Sequence, residues 1–496
     1  MIPKALACFT LLLLFTTASF ALTYTVTKVA DTNDGACDAD CSLREAVAAA
    51  NATVDNDVVA FSSLFDTSQT IVLSGSEIVV ANNGTLTING PGAHLLTIDG
   101  NQASRILSSG ANVVVNINAI RFTRGNGAGA VNTGRGGAIY NVGGTMVISN
   151  SVITGNTAAN GGALNNAASA SPSVPANLTL INCVLSNNST TSSGAALQNF
   201  STSTLHMRGT TVSGNTTSST GIAGAFQANG TVTITNSTFS GNSAPAGTGA
   251  GVYYNGTSLI MTNATIVNNT SSVGSGGLHR TGTNPTAIVR NSIFANNSTA
   301  DAFGLMSSQG NNIIGNVGTS TGWVASDLQN TNPMLGSLAD NGGPTQTHLP
   351  LADSPAINAG QNCVVDLSCS ANNPPVAVTT DQRGVARPSG GTVDMGSVEV
   401  VAIVNVSVSG RVFSSVGSYV PRAIVTISNK GGVISSDTTS SFGNFTLTGV
   451  PSGQTYTVNV IAKGYQFTPV VVPVSGEVTN LEITATSSPF GPVRKE

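Results

Sequence analysis

Hydrolysis of a polysaccharide requires two carboxylates about 5–10 Å apart, one as acid and one as base or nucleophile. A calcium-dependent lyase requires acidic ligands for the metal and a basic Lys or Arg. Between Asp99 and Asp301 the chain contains no Asp, no Glu and no Lys, so neither chemistry can be written on that stretch. Arg208 and Arg290 are isolated there and read as solvated side chains. His206 and His279 have no Cys, Asp or Glu at a matching spacing, so no triad or metal box forms around them. Asp31, Asp34, Asp38 and Asp40 miss the spacing of a calcium loop and read as an acidic turn. Asp340, Asp353, Asp381, Asp394, Arg383, Arg387 and His348 gather in 330–400, where structural salt bridges in a cap are the expectation. No catalytic residue, metal ligand or cofactor is assigned.

Cysteine usage speaks to compartment. Cys37 and Cys41 are four apart, Cys363 and Cys369 six apart, and both pairs read as local disulfides of an oxidising environment. Residues 1–21 place Lys4 before an apolar run from Ala5 to Phe15 and end in Ser19-Phe20-Ala21, the pattern of a secretory signal peptide. The run is too short to span a bilayer, and no later segment reaches that length.

The elements that must position these side chains are set by a repeat. Asn156, Asn188, Asn215, Asn242, Asn269 and Asn297 are separated by 32, 27, 27, 27 and 28 residues. Three positions earlier stand Ile153, Leu185, Val212, Phe239, Ile266 and Phe294, and the positions eight and ten earlier are apolar too. Alternation of period two means strand. Gly or Asn just before each register Asn provides the positive φ of a bend. A second motif, Gly136-Gly137-Ala138-Ile139 and its equivalents, opens each unit. Short strands at a fixed period imply a right-handed parallel β-helix of pectin-lyase-like type, with seven regular coils rising about 30 Å. The register asparagines then form ladders inside the bends. Cys183 falls in a column of small residues and reads as packing, not as a reactive thiol.

Composition agrees with an all-β fold. Only 8% of the 496 residues are charged, against roughly 25% in an ordinary domain, which together with 56 Gly and 50 Asn excludes helical bundles. A net charge of −4 without clustered Lys and Arg argues against a nucleic-acid partner. Ser42-Leu43-Arg44-Glu45 is a capping box opening a helix to about Asn51, suited to covering the open end of the coils.

Several stretches resemble known families. Asp31 to Cys37, Cys41 to Ala46 and Ala48 to Asn51 look like the CSLREA domain of bacterial surface proteins. The Gly-Gly-Ala-Ile and Phe-x-x-Asn elements (Phe239 to Asn242, Phe294 to Asn297) resemble polymorphic outer-membrane protein repeats. Asn332 to Gly336, Leu338 to His348, Ser354 to Gly360, Asp381 to Pro388 and Asp394 to Glu399 are similar to the choice-of-anchor Q domain, although Met395 and Val398 depart from its usual Ile and aromatic. From Val408 to Tyr465, strands and turns alternate as in a small antiparallel sandwich and resemble the carboxypeptidase regulatory-like domain, whose fold is grouped with carbohydrate-binding sandwiches.

The expected organisation is a signal peptide (1–21), a CSLREA-like cap with first coils (22–100), β-helix repeats (101–300) and choice-of-anchor Q-like final coils and cap (301–400). A carboxypeptidase regulatory-like sandwich (401–486) and a tail (487–496) follow. The resemblance implies secretion or display on the outer cell surface. The functional expectation is a non-enzymatic protein presenting a polar Ser/Thr/Asn face for adhesion to an extracellular polysaccharide or another cell surface. The alternative is a β-helix protein that binds or degrades polysaccharide, with any chemistry confined to 301–400.

Overall fold

Alternating apolar residues at a constant spacing can bury one face only by stacking on their own repeats, and the chain does so. A computed structural model describes residues 21–81, 84–218, 221–282, 287–369, 374–401, 404–429, 431–474 and 476–487, which fall into two units meeting at Glu399 and Val400. The signal-peptide reading (apart from Ala21) and the tail beyond Ser487 lie outside the described residues.

The first unit is a parallel β-helix. Sheet 1 has eleven strands, from Thr23–Val26 to Met306–Ser308; sheet 2 has eleven, from Gln69–Val72 to Leu328–Gln329; sheet 3 has nine, from Ile78–Val80 to Ala302–Phe303. A five-stranded sheet 4 runs from Thr157–Asn160 to Thr270–Val273. Eleven strands spaced about 4.8 Å apart span about 48 Å, more than the seven regular coils alone. The excess comes from irregular coils at both ends, including Thr23–Val26, which pairs in parallel with Asp57–Phe61.

Met146, Leu178, Leu205, Val232, Leu259 and Ala287 stack in strict register along sheet 1 and are all buried. Ile153, Leu185, Val212, Phe239, Ile266 and Phe294 do the same along sheet 2. Each Val, Leu, Ile, Phe or Met in these columns contributes about 1.5–3 kcal/mol of burial. The residues before the register asparagines have φ between +53° and +66°. A second bend lies six positions before each register asparagine and uses Asn150, Asn182, Asn236, Asn263 and Asn291 at φ of +45° to +53°, with Gly209 at +64°. Asn tolerates this conformation better than other non-glycine residues, which is why the position is nearly always Asn. The second Gly of the opening motif serves close approach: a Cβ on Gly137 would lie 1.9 Å from the Gly162 carbonyl oxygen.

The N-terminal helix is Leu43–Asn51, with Ser42 and Glu45 forming the reciprocal capping box. Its buried face is Leu43, Ala46, Val47 and Ala50, and Arg44 fastens it to the coils through the Ser76 and Glu77 carbonyls.

Residues 301–329 continue the coils, whereas 333–399 depart from the expected cap. This segment forms a strap along the flank of the coils, from Gly209 to Asn311. It covers the outer Thr and Ser positions of sheet 2 in the later coils, so the polar face expected from sequence is open only in the earlier ones. Arg290, expected to be solvated, is 3% exposed beneath the strap and donates to the Gln361 side-chain oxygen. Sequence reasoning cannot see this, because the contacts join residues 70 or more apart.

The second unit packs a three-stranded sheet (Asn444–Pro451, Asn405–Phe413, Val478–Thr484) with a four-stranded sheet (Gly432–Thr438, Ile424–Asn429, Gln454–Ile461, Val470–Val474). Its core includes Val408, Val425, Phe445, Leu447 and Tyr456. The sandwich is antiparallel except where Asn405–Phe413 pairs in parallel with Val478–Thr484.

Candidate binding site on the flank of the coils

The register asparagines build an internal ladder. The Nδ2 of Asn156 donates to Oδ1 of Asn188 at 3.0 Å, and Asn188 to Asn215, Asn215 to Asn242, Asn242 to Asn269 and Asn269 to Asn297 follow at 2.8–3.0 Å. Each Oδ1 also accepts from the backbone N–H of the preceding ladder residue. All six side chains are nearly or fully buried, so the ladder holds the bend and meets no ligand. Disulfides join Cys37 to Cys41 and Cys363 to Cys369. Cys183 is buried and its thiol is pushed up to about 12 by desolvation. Such a thiol does not ionise at neutral pH.

The buried carboxylates of this unit are committed to structural bonds. Glu77 pairs with Arg105 at 2.7 Å and accepts from the Ala130 N–H, tying the 126–136 loop to the first coils. Asp99 pairs with Arg124, and Asp31 with Arg44. In the strap, both oxygens of Asp381 accept twice, from the N–H groups of Arg383, Val385 and Glu399 and from Arg383 Nε. Glu399 accepts from Arg387 Nη1 at 2.7 Å and from the N–H groups of Ser389 and Asp394. Burial pushes the Glu399 carboxyl up and the Arg387 guanidinium down, and each group opposes the other's shift. The pair locks the strap on itself. Among the described residues no three His, Cys, Asp or Glu side chains converge as a metal site.

His348 is buried, its Nδ1 donating to the Gly336 carbonyl and its Nε2 accepting from the Ser240 hydroxyl. It is a fastener between strap and coil. His279 is 5% exposed and stacks between Tyr253 and Phe303, with ring centroids 5.6 and 4.4 Å away. His206 and Arg208 are exposed.

The open part of the flank is a groove. Its first section, about 360 Å³, has Arg121, Asn150 and Asn182 on the floor, with His94 and Pro344 beside them. Its second, about 150 Å³, shares Asn182 and Pro344 with the first and adds Arg208 and Asn236 beneath 380–384. Its third, about 180 Å³, passes Arg208, His206 and Thr235 under 375–380. Asp381, saturated by its donors, is the one carboxylate among the described lining residues. Sequence reasoning missed this site because Arg121, His94 and Arg208 occupy different repeat positions. The available signal was charge: residues 100–300 hold seven Arg and no acid, leaving 11 Lys and Arg against all 22 Asp and Glu elsewhere.

Residues 407–486 match the carboxypeptidase regulatory-like domain. The chain is similar to the crystal structure of pectate lyase Pel9A, at 15% identity and a TM-score of 0.43, covering 77% of this chain and 97% of that one. No curated protein matches the chain in sequence. No helix among the described residues is long and apolar enough to cross a membrane.

Proposed function

We propose that the chain is a non-enzymatic, secreted or cell-surface β-helix protein that works by contact, holding an extracellular polysaccharide through many weak hydrogen bonds along its coils. One observation carries this reading: the buried carboxylates are consumed by structural donors, while the early coils present an open groove bearing Arg121, Asn150 and Asn182. Multivalency over such a surface gives affinity without a reactive group. The CSLREA-like segment at 31–51 and the choice-of-anchor Q-like segment at 332–399 support assignment to bacterial surface proteins. The leader-like residues 1–21 and the two disulfides support export. In this reading the 407–486 domain is a spacer or second adhesive module. Incubation of the purified chain with a polysaccharide panel tests the proposal: binding without new reducing or unsaturated ends is expected, and release of such ends overturns it.

A further inference from the structure

The second bend carries its own row of asparagines on the outside of the coils, and the row has two halves. In the later half each amide is read by the strap backbone. Asn236 Nδ2 donates to the Thr380 carbonyl, Asn263 Nδ2 to the carbonyls of Asp394 and Gly396, and Asn291 exchanges a pair of bonds with Gln361. The row is interrupted at Gly209, where Thr345 Oγ1 of the strap donates to the Gly209 carbonyl. In the earlier half, Asn182 Nδ2 donates to Asn150 Oδ1 at 3.4 Å and Asn150 Nδ2 to Asn118 Oδ1 at 2.9 Å, Asn118 standing one position before the bend, where it also accepts from the Ser149 hydroxyl and donates to Asn89 at 3.0 Å. Each amide has two N–H donors and an oxygen with two lone pairs, so coil-to-coil bonding leaves capacity on every one. On the later coils this row is occupied by an extended segment of the chain's own backbone, whereas Asn150 and Asn182 carry no side-chain bond to that segment among the described residues and line the groove beside Pro344.

Charge selects the occupant. Arg208 is exposed, and its guanidinium makes no hydrogen bond or ion pair among the described residues. Arg121 lines the groove and uses Nε on the Ala93 carbonyl, with no hydrogen bond from its terminal nitrogens among the described residues. The two sit three coils apart, roughly 14 Å along the axis, and bracket Asn150 and Asn182. Resting on the contact function proposed above, we infer that the Asn150–Asn182 track, between Arg121 and Arg208, is the binding site of an anionic polysaccharide. Its hydroxyls pair with the open amides and its carboxylates with Arg121 and Arg208. Charge-assisted bonds of this kind are about twice as strong as neutral ones and weaken with salt.

The test is equilibrium binding of the full chain to polygalacturonate, with dextran as neutral polymer and poly-glutamate as acidic polypeptide. Polygalacturonate is expected to bind, more weakly at high salt, and dextran and poly-glutamate to bind at least about tenfold less tightly. Arg208→Glu is expected to weaken polygalacturonate binding about tenfold or more with an unchanged thermal midpoint, since the Arg208 side chain holds no other part of the fold. Asn150→Asp, which puts a like charge into the track without touching either arginine, is expected to act the same way. Equal binding of dextran, equal binding of poly-glutamate, or no polygalacturonate binding overturns the inference. So does polygalacturonate binding that survives both substitutions, although that result leaves the contact function standing. Chain cleavage in the same mixtures overturns the contact function itself.

Discussion

Asp301 Oδ1 accepts 2.8 Å hydrogen bonds from both the backbone N–H and the Nδ2 of Asn297, taking the place that the next asparagine would fill. Its Oδ2 accepts from the Asn316 N–H at 2.6 Å. The amide ladder that begins at Asn156 therefore ends on a carboxylate. A parallel arrangement closes a neighbouring column, where Asn312 donates its N–H and Nδ2 to Asp327 Oδ1. An acceptor-only group suits the last rung, because it satisfies the two donors it receives and owes none onward.

Asp301→Ala strands both Asn297 donors in a buried bend and should lower the stability of the β-helix by about 2–3 kcal/mol, measured as a shift in its urea midpoint. Asp301→Asn keeps the acceptor for Asn297 but turns an NH2 toward the Asn316 N–H, and should cost about 1–2 kcal/mol, less than the alanine. Burial raises the Asp301 carboxyl above its ordinary value. The folded state thus holds the proton more tightly, so the stability this group adds at acid pH falls as pH rises through the window above 3.8. Asp301→Asn should remove that component of the pH profile.

Position within the ladder sets the cost of losing an amide. Asn215 accepts from Asn188 and donates to Asn242 and to the Leu185 carbonyl, all buried. Asn215→Ala should cost about 3–5 kcal/mol, because it orphans donors on one side and acceptors on the other. Asn150→Ala, on the exposed row, should cost only about 1 kcal/mol, most of it from the left-handed backbone conformation. Comparable losses at both sites would refute the division between a structural inner ladder and an open outer one.

The inner ladder was legible in the sequence because its period is fixed at 27 residues for most of its length and its flanking positions are apolar. Helix 43–51 was legible for a similar local reason, Ser42 and Glu45 standing three apart. The ladder's end was not, since Asp301 lies four residues after Asn297 rather than one coil away. Nor was the strap, whose bonds to Thr238 and Asn263 span 131 to 159 residues and follow no period. The groove depends on where the strap stops, so Arg208 and Arg290, identical in repeat position, end up exposed and buried respectively.

Thiol labelling separates the five cysteines among the described residues. Four are in disulfides and Cys183 is buried with its thiol pushed up to about 12. Alkylation of the native protein near neutral pH should modify none of the five, and denaturation without reductant should expose Cys183 alone. Removal of Cys37–Cys41 with reductant should cost roughly 2 kcal/mol, since the loop it closes is short. Rapid native labelling of Cys183 would show that its column opens readily.

His279 makes the acid limit of the fold measurable. Burial between Tyr253 and Phe303 lowers its imidazole to about 4 from 6.5, and its buried Nδ1 has no partner among the described residues. The unfolded chain therefore binds the proton first. Stability is complete above pH 6.5 and declines as pH falls toward 4, by up to about 3 kcal/mol. His279→Phe keeps an aromatic ring in the stack and removes the titrating group. Its unfolding midpoint should match the parent above pH 7 and exceed it at pH 4.5, where the buried histidine would otherwise have to take up charge between two rings. An identical pH slope in parent and variant would assign the acid sensitivity to other groups and leave His279 as packing alone.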